Sequence, residues 1–284
     1  MRAAAPNTPR QQQKQQQQQQ QRRDVHAEIA ERYLCGAYGI LVALCVMMVL
    51  WILGLPATWR AGWAWHDRLV AAWYARSIQT LGHFPTPLSL ITKYNGHPVA
   101  QLCHVLPGAV WAALVPFQLH PAARRRFRRA HRLGGYVFAG TAYLMMGGYV
   151  YIDVKGLLYL HADFPQIRPE HNTTHLPVHV VPHEPMFRAV AAWFVVTISL
   201  ALWHAVRRRF KEHRKWILRH VASGIWVAVQ RLVVVMVNSE TPAEQKKTFG
   251  DGALIGVALT CAAAEIAVWC YEHPAGGGRG KKAV

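Results

Sequence analysis

Two apolar stretches that flank an arginine-rich turn limit the fold of this chain more than any other feature. They are Pro98–Leu119 and Leu133–Ile152. Each has about 20 residues, which at ~1.5 Å per residue lets a helix cross the ~30 Å of hydrocarbon in a bilayer. The turn, residues 122–132, carries six arginines and no acid. Such a turn cannot enter lipid and is typical of the cytoplasmic side of a membrane, so the pattern predicts an integral membrane protein and its orientation.

The rest of the chain continues this alternation of apolar stretches and polar connections. A second basic turn, residues 207–215, separates two later apolar stretches, and the connections on the other side mix acids with few bases. Because basic turns favour the cytoplasmic side, this alternation predicts an all-α, polytopic transmembrane helical bundle with both termini cytoplasmic. We expect about six spans around a four-helix core. The other spans are predicted at Tyr33–Leu55, Met186–Val206, Trp216–Val237 and Gly252–Tyr271.

The two ends of the chain differ in composition from its apolar middle. Residues 1–32 contain Gln11–Gln21, a nearly pure poly-Gln tract. A tract of this kind has no apolar surface to bury, so we predict a disordered, low-complexity tail. The arginines of this tail would also suit a cleaved transit peptide. Residues 33–271 are then the six-helix transmembrane domain, and residues 272–284 a flexible basic tail.

The strong positive charge has two possible explanations. A net charge of +18 in a soluble protein of this length would suggest a nucleic-acid partner. Here 52% of the residues are hydrophobic, 16% are charged, and the basic residues fall between apolar runs. We therefore attribute the charge to membrane topology and expect a lipid bilayer, not nucleic acid, as the partner. Basic connections beside a membrane would also attract anionic lipid heads.

Ionisable residues within the predicted spans are the first candidates for a functional site, because they are costly in lipid. Counting along each helix places His104 and Arg231 at one level near the outer face, and His131 and His220 at another near the inner face. Histidines on facing helices at one depth can ligate the iron of a b-type haem. His131 and His220 are the candidate pair, with His204 as the alternative inner ligand. Arg231 could then hold a haem propionate.

These polar residues also have purely structural interpretations. Arg231 could pair with Asp153 or Glu184 at the outer ends of neighbouring helices, and a histidine could be a satisfied helix-end residue. A second outer haem ligand would have to come from a connection, where His97 and His183 are available. The sequence leaves these alternatives open.

Four histidines recur at every fourth position in the connection between the third and fourth spans. On a helix they would share one face and could bind zinc or copper. Three prolines in the same segment interrupt a helix, so a solvated loop that captures metal only weakly is the alternative. The candidate metal ligands are His171, His175, His179 and His183.

Several short motifs follow one another through residues 97–238, the four central spans. They are His104-Val-Leu-Pro-Gly108, the arginine turn, His131-Arg-Leu-Gly-Gly135, His213-Arg-Lys-Trp-Ile-Leu-Arg219 and Arg231-Leu232. Their order and spacing resemble the family of predicted, mostly bacterial membrane proteins called domain of unknown function 2306. The resemblance implies a compact helical membrane domain without an established activity. It directs attention to His104, His131, Arg132, His213, Arg219 and Arg231.

A more distant similarity is to cytochrome b561-like four-helix haem proteins. It depends on the number of helices and on the two levels of histidines. It implies haem b as a cofactor.

Three functions are compatible with these residues. The first is a haem-binding redox protein that moves electrons between the membrane faces. The second is a transport or binding protein in which Arg231 and His104 coordinate a small anionic ligand. The third is a structural or interaction protein whose polar residues hold helices together. No Ser-His-acid arrangement, phosphate-binding glycine loop or HExxH motif occurs, so the sequence leaves open whether the protein is an enzyme.

The predicted orientation can be tested with epitope tags. A tag at the N terminus and a tag inserted between Arg124 and Arg129 should be accessible from the same side of the membrane, because both belong to the basic face. Antibody binding before and after selective permeabilisation measures this. If the two tags were reached from opposite sides, the depth assigned to every polar residue would be wrong.

Overall fold

The computed structural model describes residues 9–54, 64–81, 94–158, 183–237 and 242–272. These residues form helices and turns without any strand, which confirms the predicted all-α fold. We number the helices in chain order and treat Pro98–Leu119, which contains a short π-helical turn, as one helix. They are α1 Pro9–Gly54, α2 Ala64–Leu81, α3 Pro98–Leu119, α4 Pro121–Arg126, α5 Arg128–Val154, α6 His183–Val206, α7 Phe210–Met236 and α8 Pro242–Glu272.

Six of the described helices, all except α2 and α4, are long and apolar enough to cross a membrane. This confirms the predicted multi-pass bundle, and the second span has the predicted ends. The third and fifth spans begin earlier than predicted, in the basic turns themselves. The apolar segments are Glu28–Gly54, Pro98–Leu119, Arg128–Val154, Pro185–Val206, Phe210–Met236 and Lys247–Glu272.

Two predicted irregular segments are helical instead. The prediction of disorder over residues 1–32 was wrong for the described part, because α1 runs without interruption from Pro9 to Gly54. Glutamine has a good helix propensity, and the apolar span supplies a helix onto which the tract can extend without a new nucleation step. Helix α8 likewise begins at Pro242, ten residues before the predicted span. Residues 273–284 lie outside the described part, so the flexible tail stays a prediction.

Helix α7 is central to the bundle, where it packs against α8, α6 and α1, while α3 packs against α1 and α5. We call the end of the bundle that holds the turns from α3 to α5 and from α6 to α7 the arginine end. Contacts there join helices distant in sequence: the Tyr38 hydroxyl donates to the carbonyl of Pro116 at 3.0 Å, and Lys215 forms an ion pair with Glu272. The main core lies in the middle of the bundle and includes Trp111, Phe138, Phe194 and Ile225.

A close approach of α3 and α5 depends on one glycine. A Cβ atom added to Gly148 would lie 2.6 Å from the backbone carbon of Cys103 and 2.6 Å from the backbone nitrogen of His104. Both belong to the π-helical turn Gln101–Val105 within α3. A side chain at position 148 would therefore push the two helices apart beside His104, the first candidate histidine of the chain.

Substituting Gly148 should destabilise the bundle, whereas substituting its neighbour Gly147 should not. We expect Gly148→Ala to lower the free energy of unfolding by about 1–3 kcal/mol, because the new methyl group overpacks against backbone that cannot rotate away. Gly147→Ala is the matched control, since a Cβ there meets nothing within 4 Å and alanine favours the helix. Thermal unfolding in lipid nanodiscs measures both. Equal effects of the two substitutions would contradict the close α3–α5 contact.

Candidate functional site

A cavity of about 270 Å³ lies among the six long helices, in the half of the bundle opposite the arginine end. Its walls are mainly aromatic and aliphatic, with methionines that can adapt to irregular shapes. Largely apolar cavities with a few convergent polar groups are the usual form of small-molecule sites. Each long helix contributes to the lining, for example through Trp51, His104, Tyr149, Phe187, Arg231 and Phe249.

His104 enters the cavity wall from the π-helical turn of α3. Turns of this kind often occur at functional sites, because the extra residue changes the direction of the side chains. The His104 Nδ1 atom lies 2.8 Å from the carbonyl oxygen of Met145. A carbonyl only accepts, so Nδ1 must donate, and Nε2 is the acceptor atom when the ring is neutral. The fold thus fixes the tautomer of the neutral imidazole.

Arg231 is held against the cavity by aromatic rings from two other helices. Its guanidinium carbon lies 5.4 Å from the ring centre of Trp51 in α1 and 4.7 Å from that of Phe249 in α8. Its Nη1 donates to Oε1 of Gln230 at 3.4 Å, and Nε2 of Gln230 donates to the carbonyl of Phe249 at 2.8 Å. The aromatic faces partly replace water around the cation, which a charge within a membrane requires.

Asp153, one of the two acidic partners considered for Arg231 in a structural role, does not pair with it. Asp153 instead accepts two hydrogen bonds from Arg188, at 3.0 Å from Nε and 2.9 Å from Nη2. Arg188 lies in α6, so this bidentate pair joins the end of α5 to the beginning of α6. The side chain of Glu184, the other partner considered, lies outside the described residues.

The Tyr149 hydroxyl is a further polar group of the cavity. It is buried and has no hydrogen-bond partner among the residues that the structure describes. A buried hydroxyl without a partner is costly, and a bound ligand or water would satisfy it. Tyr149 therefore offers a hydrogen bond to a molecule in the cavity, on the same wall as His104, whose ring lies 6.3 Å away.

His220 lies beyond the cavity and belongs to the core. It is fully buried, its Nε2 accepts from the indole nitrogen of Trp111 at 3.0 Å, and its Nδ1 donates to the carbonyl of Phe194 at 3.1 Å. The rings of Trp111 and Phe138 meet the imidazole edge to face. Both ring nitrogens are thus used within the protein, as expected for a structural histidine.

The residues do not fit a haem between His131 and His220, which corrects that predicted ligand pair. His220 contacts Phe138, seven residues after His131 in α5, so the two histidines differ in depth by ~10 Å. A metal would need both ring nitrogens at ~2 Å. His131 instead lies close enough to His213 and Arg124 to interact electrostatically with them.

Near the arginine end, His213 lies close enough to both His131 and His204 to interact electrostatically with them. The Nδ1 atoms of His131 and His204 are buried without a hydrogen-bond partner in the described part of the chain, while Nδ1 of His213 donates to the carbonyl of Ala201 at 2.8 Å. No group of ligands suited to a metal ion occurs among the described residues. Nearby, burial and the like charges of Arg214 and Arg125 lower the pKa of the Arg124 guanidinium.

The predicted metal loop cannot be placed. His171, His175 and His179 lie outside the described residues, and His183 begins α6 with a side chain that is not described. His97 was the other histidine considered as a ligand. Its Nδ1 atom lies 3.3 Å from the Tyr151 hydroxyl, and neither residue lines the cavity. The metal site therefore stays a prediction.

Sequence reasoning placed His104 and Arg231 at one depth, and the structure brings both to one cavity. It missed Tyr149, Trp51 and Phe249. Aromatic residues are common in membrane helices, and nothing in their spacing separates a cavity wall from a lipid-facing position. The only available signal was the pair of glycines immediately before Tyr149, which indicated a close helix contact.

Comparison of the chain with protein-family models, with curated proteins and with solved structures finds no match.

Replacing the two histidines should separate a core role from a haem-ligand role. His220→Ala should lower the free energy of unfolding by about 2–5 kcal/mol, because it opens a cavity and leaves the Trp111 indole N–H unpaired. His131→Ala removes a nitrogen that already lacks a described partner and should cost about 1 kcal/mol or less. Thermal unfolding gives these values. A Soret band in the wild type that both substitutions abolish, without loss of stability, would contradict this assignment.

Proposed function

We propose that this protein binds, or binds and transports, a small amphiphilic anion within the membrane. The ligand would carry a carboxylate or phosphate on an apolar body. The observation that carries the proposal is the convergence of Arg231, His104 and the Tyr149 hydroxyl on one mainly apolar cavity.

The polar end of the cavity suits an anion. The described lining contains one permanent cation, Arg231, and no acidic side chain. A guanidinium binds carboxylates and phosphates through parallel hydrogen bonds, and these are stronger where water is excluded. Gln230 orients the guanidinium, and Tyr149 adds a hydroxyl donor. His104 can accept at Nε2 when neutral or donate when protonated, so it would suit a ligand that carries a proton.

The apolar remainder of the cavity suits the body of the ligand. A cavity of about 270 Å³ is larger than the ~150 Å³ that holds benzene and close to the lower limit for drug-sized molecules. Trp111 and Phe194 line its deeper part, and Met145 and Met146 line the α5 wall. Burial of an apolar chain there would supply affinity, while Arg231 would select for charge.

The haem proposal is less well supported. His131 and His220 are not arranged to hold an iron between them. Among the described residues that line the cavity, His104 is the one histidine, so the cavity does not supply a pair of ligands either. A purely structural role for Arg231 and Tyr149 is the remaining rival, because aromatic contacts already stabilise the arginine.

Thermal unfolding with two matched amphiphiles tests the proposal. Octanoate should raise the unfolding temperature of the nanodisc-embedded protein as its concentration rises, and octan-1-ol should raise it much less, because only the carboxylate can pair with Arg231. Arg231→Gln should weaken octanoate binding by roughly 10- to 100-fold, the loss expected for one charge-assisted hydrogen bond. Tyr149→Phe should weaken binding by less.

A matched control removes an arginine away from the cavity. Arg76→Gln in α2 loses the same charge at an exposed position and should leave octanoate binding unchanged. Equal stabilisation by octanoate and octanol, with no effect of Arg231→Gln, would overturn the assignment of an anion site. Stabilisation by neither amphiphile would favour a structural role.

A further inference from the structure

A groove that is separate from the cavity lies along the exposed side of α5 at the arginine end. Its volume is about 370 Å³, and its lining residues recur at intervals of one helical turn, which puts them on one side of the helix. Arginines occupy the end nearest the turn, and two exposed apolar side chains follow one turn deeper. The lining residues are Arg128, Arg129, Arg132, Leu133 and Tyr136.

Several basic residues of the other turn, and of the helix that follows it, have partners within the protein. Arg207 stacks on the ring of Trp203 at 4.2 Å, and the Nε atom of Arg219 donates to Glu265 at 2.7 Å. Lys215 forms ion pairs with two glutamates, Glu212 and Glu272. These three charges are therefore part of the helix packing.

The three groove arginines differ from these. In the described part of the chain, none of Arg128, Arg129 and Arg132 has an acidic partner or an aromatic ring beneath its guanidinium, and the first turn of α5 contains no acid. Three cations within five residues repel one another and also face the positive end of the helix dipole. An anion from outside the chain would relieve both effects.

The position of the apolar residues indicates what kind of anion. Leu133 and Tyr136 are each 67% exposed on the same face, and Tyr136 lies one turn, ~6 Å, deeper than Arg132. A soluble phosphate would gain nothing from them. A phospholipid would place its phosphate among the arginines and its acyl chain along the leucine, with the tyrosine at the interface where tyrosine is enriched.

We propose that this groove binds one anionic phospholipid through its phosphate and headgroup charge. Guanidinium groups form paired hydrogen bonds to phosphate oxygens, so three of them can select an anionic lipid over a zwitterionic one. The basic turns are expected on the cytoplasmic side, where anionic lipids are concentrated. The groove lies at the other end of the bundle from the cavity, so this site is independent of the proposed ligand site.

Native mass spectrometry of the detergent-solubilised protein tests the site. The probes are phosphatidylglycerol and phosphatidylcholine with the same acyl chains, added in equal amounts. The wild type should retain phosphatidylglycerol preferentially. The triple variant Arg128→Gln, Arg129→Gln, Arg132→Gln should reduce this preference by roughly tenfold or more, since each charge contributes to attraction for anionic lipid.

A second triple variant provides a charge-matched control. Arg125→Gln, Arg126→Gln and Lys211→Gln remove three charges from exposed positions outside the groove. This variant should retain phosphatidylglycerol as the wild type does, and both variants should unfold near the wild-type temperature. An equal loss in both variants would show that general surface charge attracts the lipid, and no loss in either would also overturn the site.

A third variant distinguishes a lipid from free phosphate. Leu133→Ala with Tyr136→Ala keeps the arginines and should weaken phosphatidylglycerol retention, because the acyl chain loses its contacts. Inorganic phosphate should compete poorly with the lipid on the wild type. Unchanged retention in this variant, together with displacement of the lipid by inorganic phosphate, would assign the groove to a soluble anion and overturn the proposal.

Discussion

A permanent cation within the membrane-spanning part of a protein must be compensated, and the packing of α1, α7 and α8 around the cavity compensates Arg231. Its guanidinium lies against Trp51 of α1 and Phe249 of α8, and Gln230 binds both the guanidinium and the backbone of α8. One side chain of α7 thereby fixes the relative positions of three helices. Because these contacts are made at one wall of the cavity, the same residue stabilises the bundle and supplies positive charge to the space inside it.

The cavity also depends on close packing nearby. Gly148 lets α5 approach the π-helical turn of α3, which brings Tyr149 and His104 to one wall, and Gly224 of α7 leaves room for the Trp111 ring. His220 holds the same Trp111 through its indole nitrogen. Structural residues thus determine the shape of the site, although they offer a ligand no polar group. In the sequence, His220 resembles a cofactor ligand because it is a histidine within a predicted span. In the fold it is a core residue, because both of its ring nitrogens bind groups of the protein.

The two basic turns have similar composition and different roles. Around the turn between α6 and α7, Arg207 stacks on Trp203, while Lys215 and Arg219 pair with glutamates of α7 and α8, so these side chains hold helices together. The arginines at the start of α5 lie on an exposed face above Leu133 and Tyr136. Charge counting treats the two turns alike, because it reports only the side of the membrane that a turn prefers. Whether a basic residue serves topology, packing or lipid binding depends on what lies within a few ångströms of it.

Hydrophobic length was enough to predict six spans and the second span's ends, since a helix must cover the hydrocarbon whatever its neighbours are. Counting along the helices also put His104 and Arg231 at one level. It misjudged His131 and His220, because a level counted from the span ends is broad enough to include two histidines that differ in depth by ~10 Å. Periodicity carries no information about rotation between helices, so the contacts of Trp51, Phe249 and Tyr149 with the cavity came only from the packed structure. Water and lipid decide which segments are helical and buried, whereas the fit of side chains between helices decides which polar groups meet.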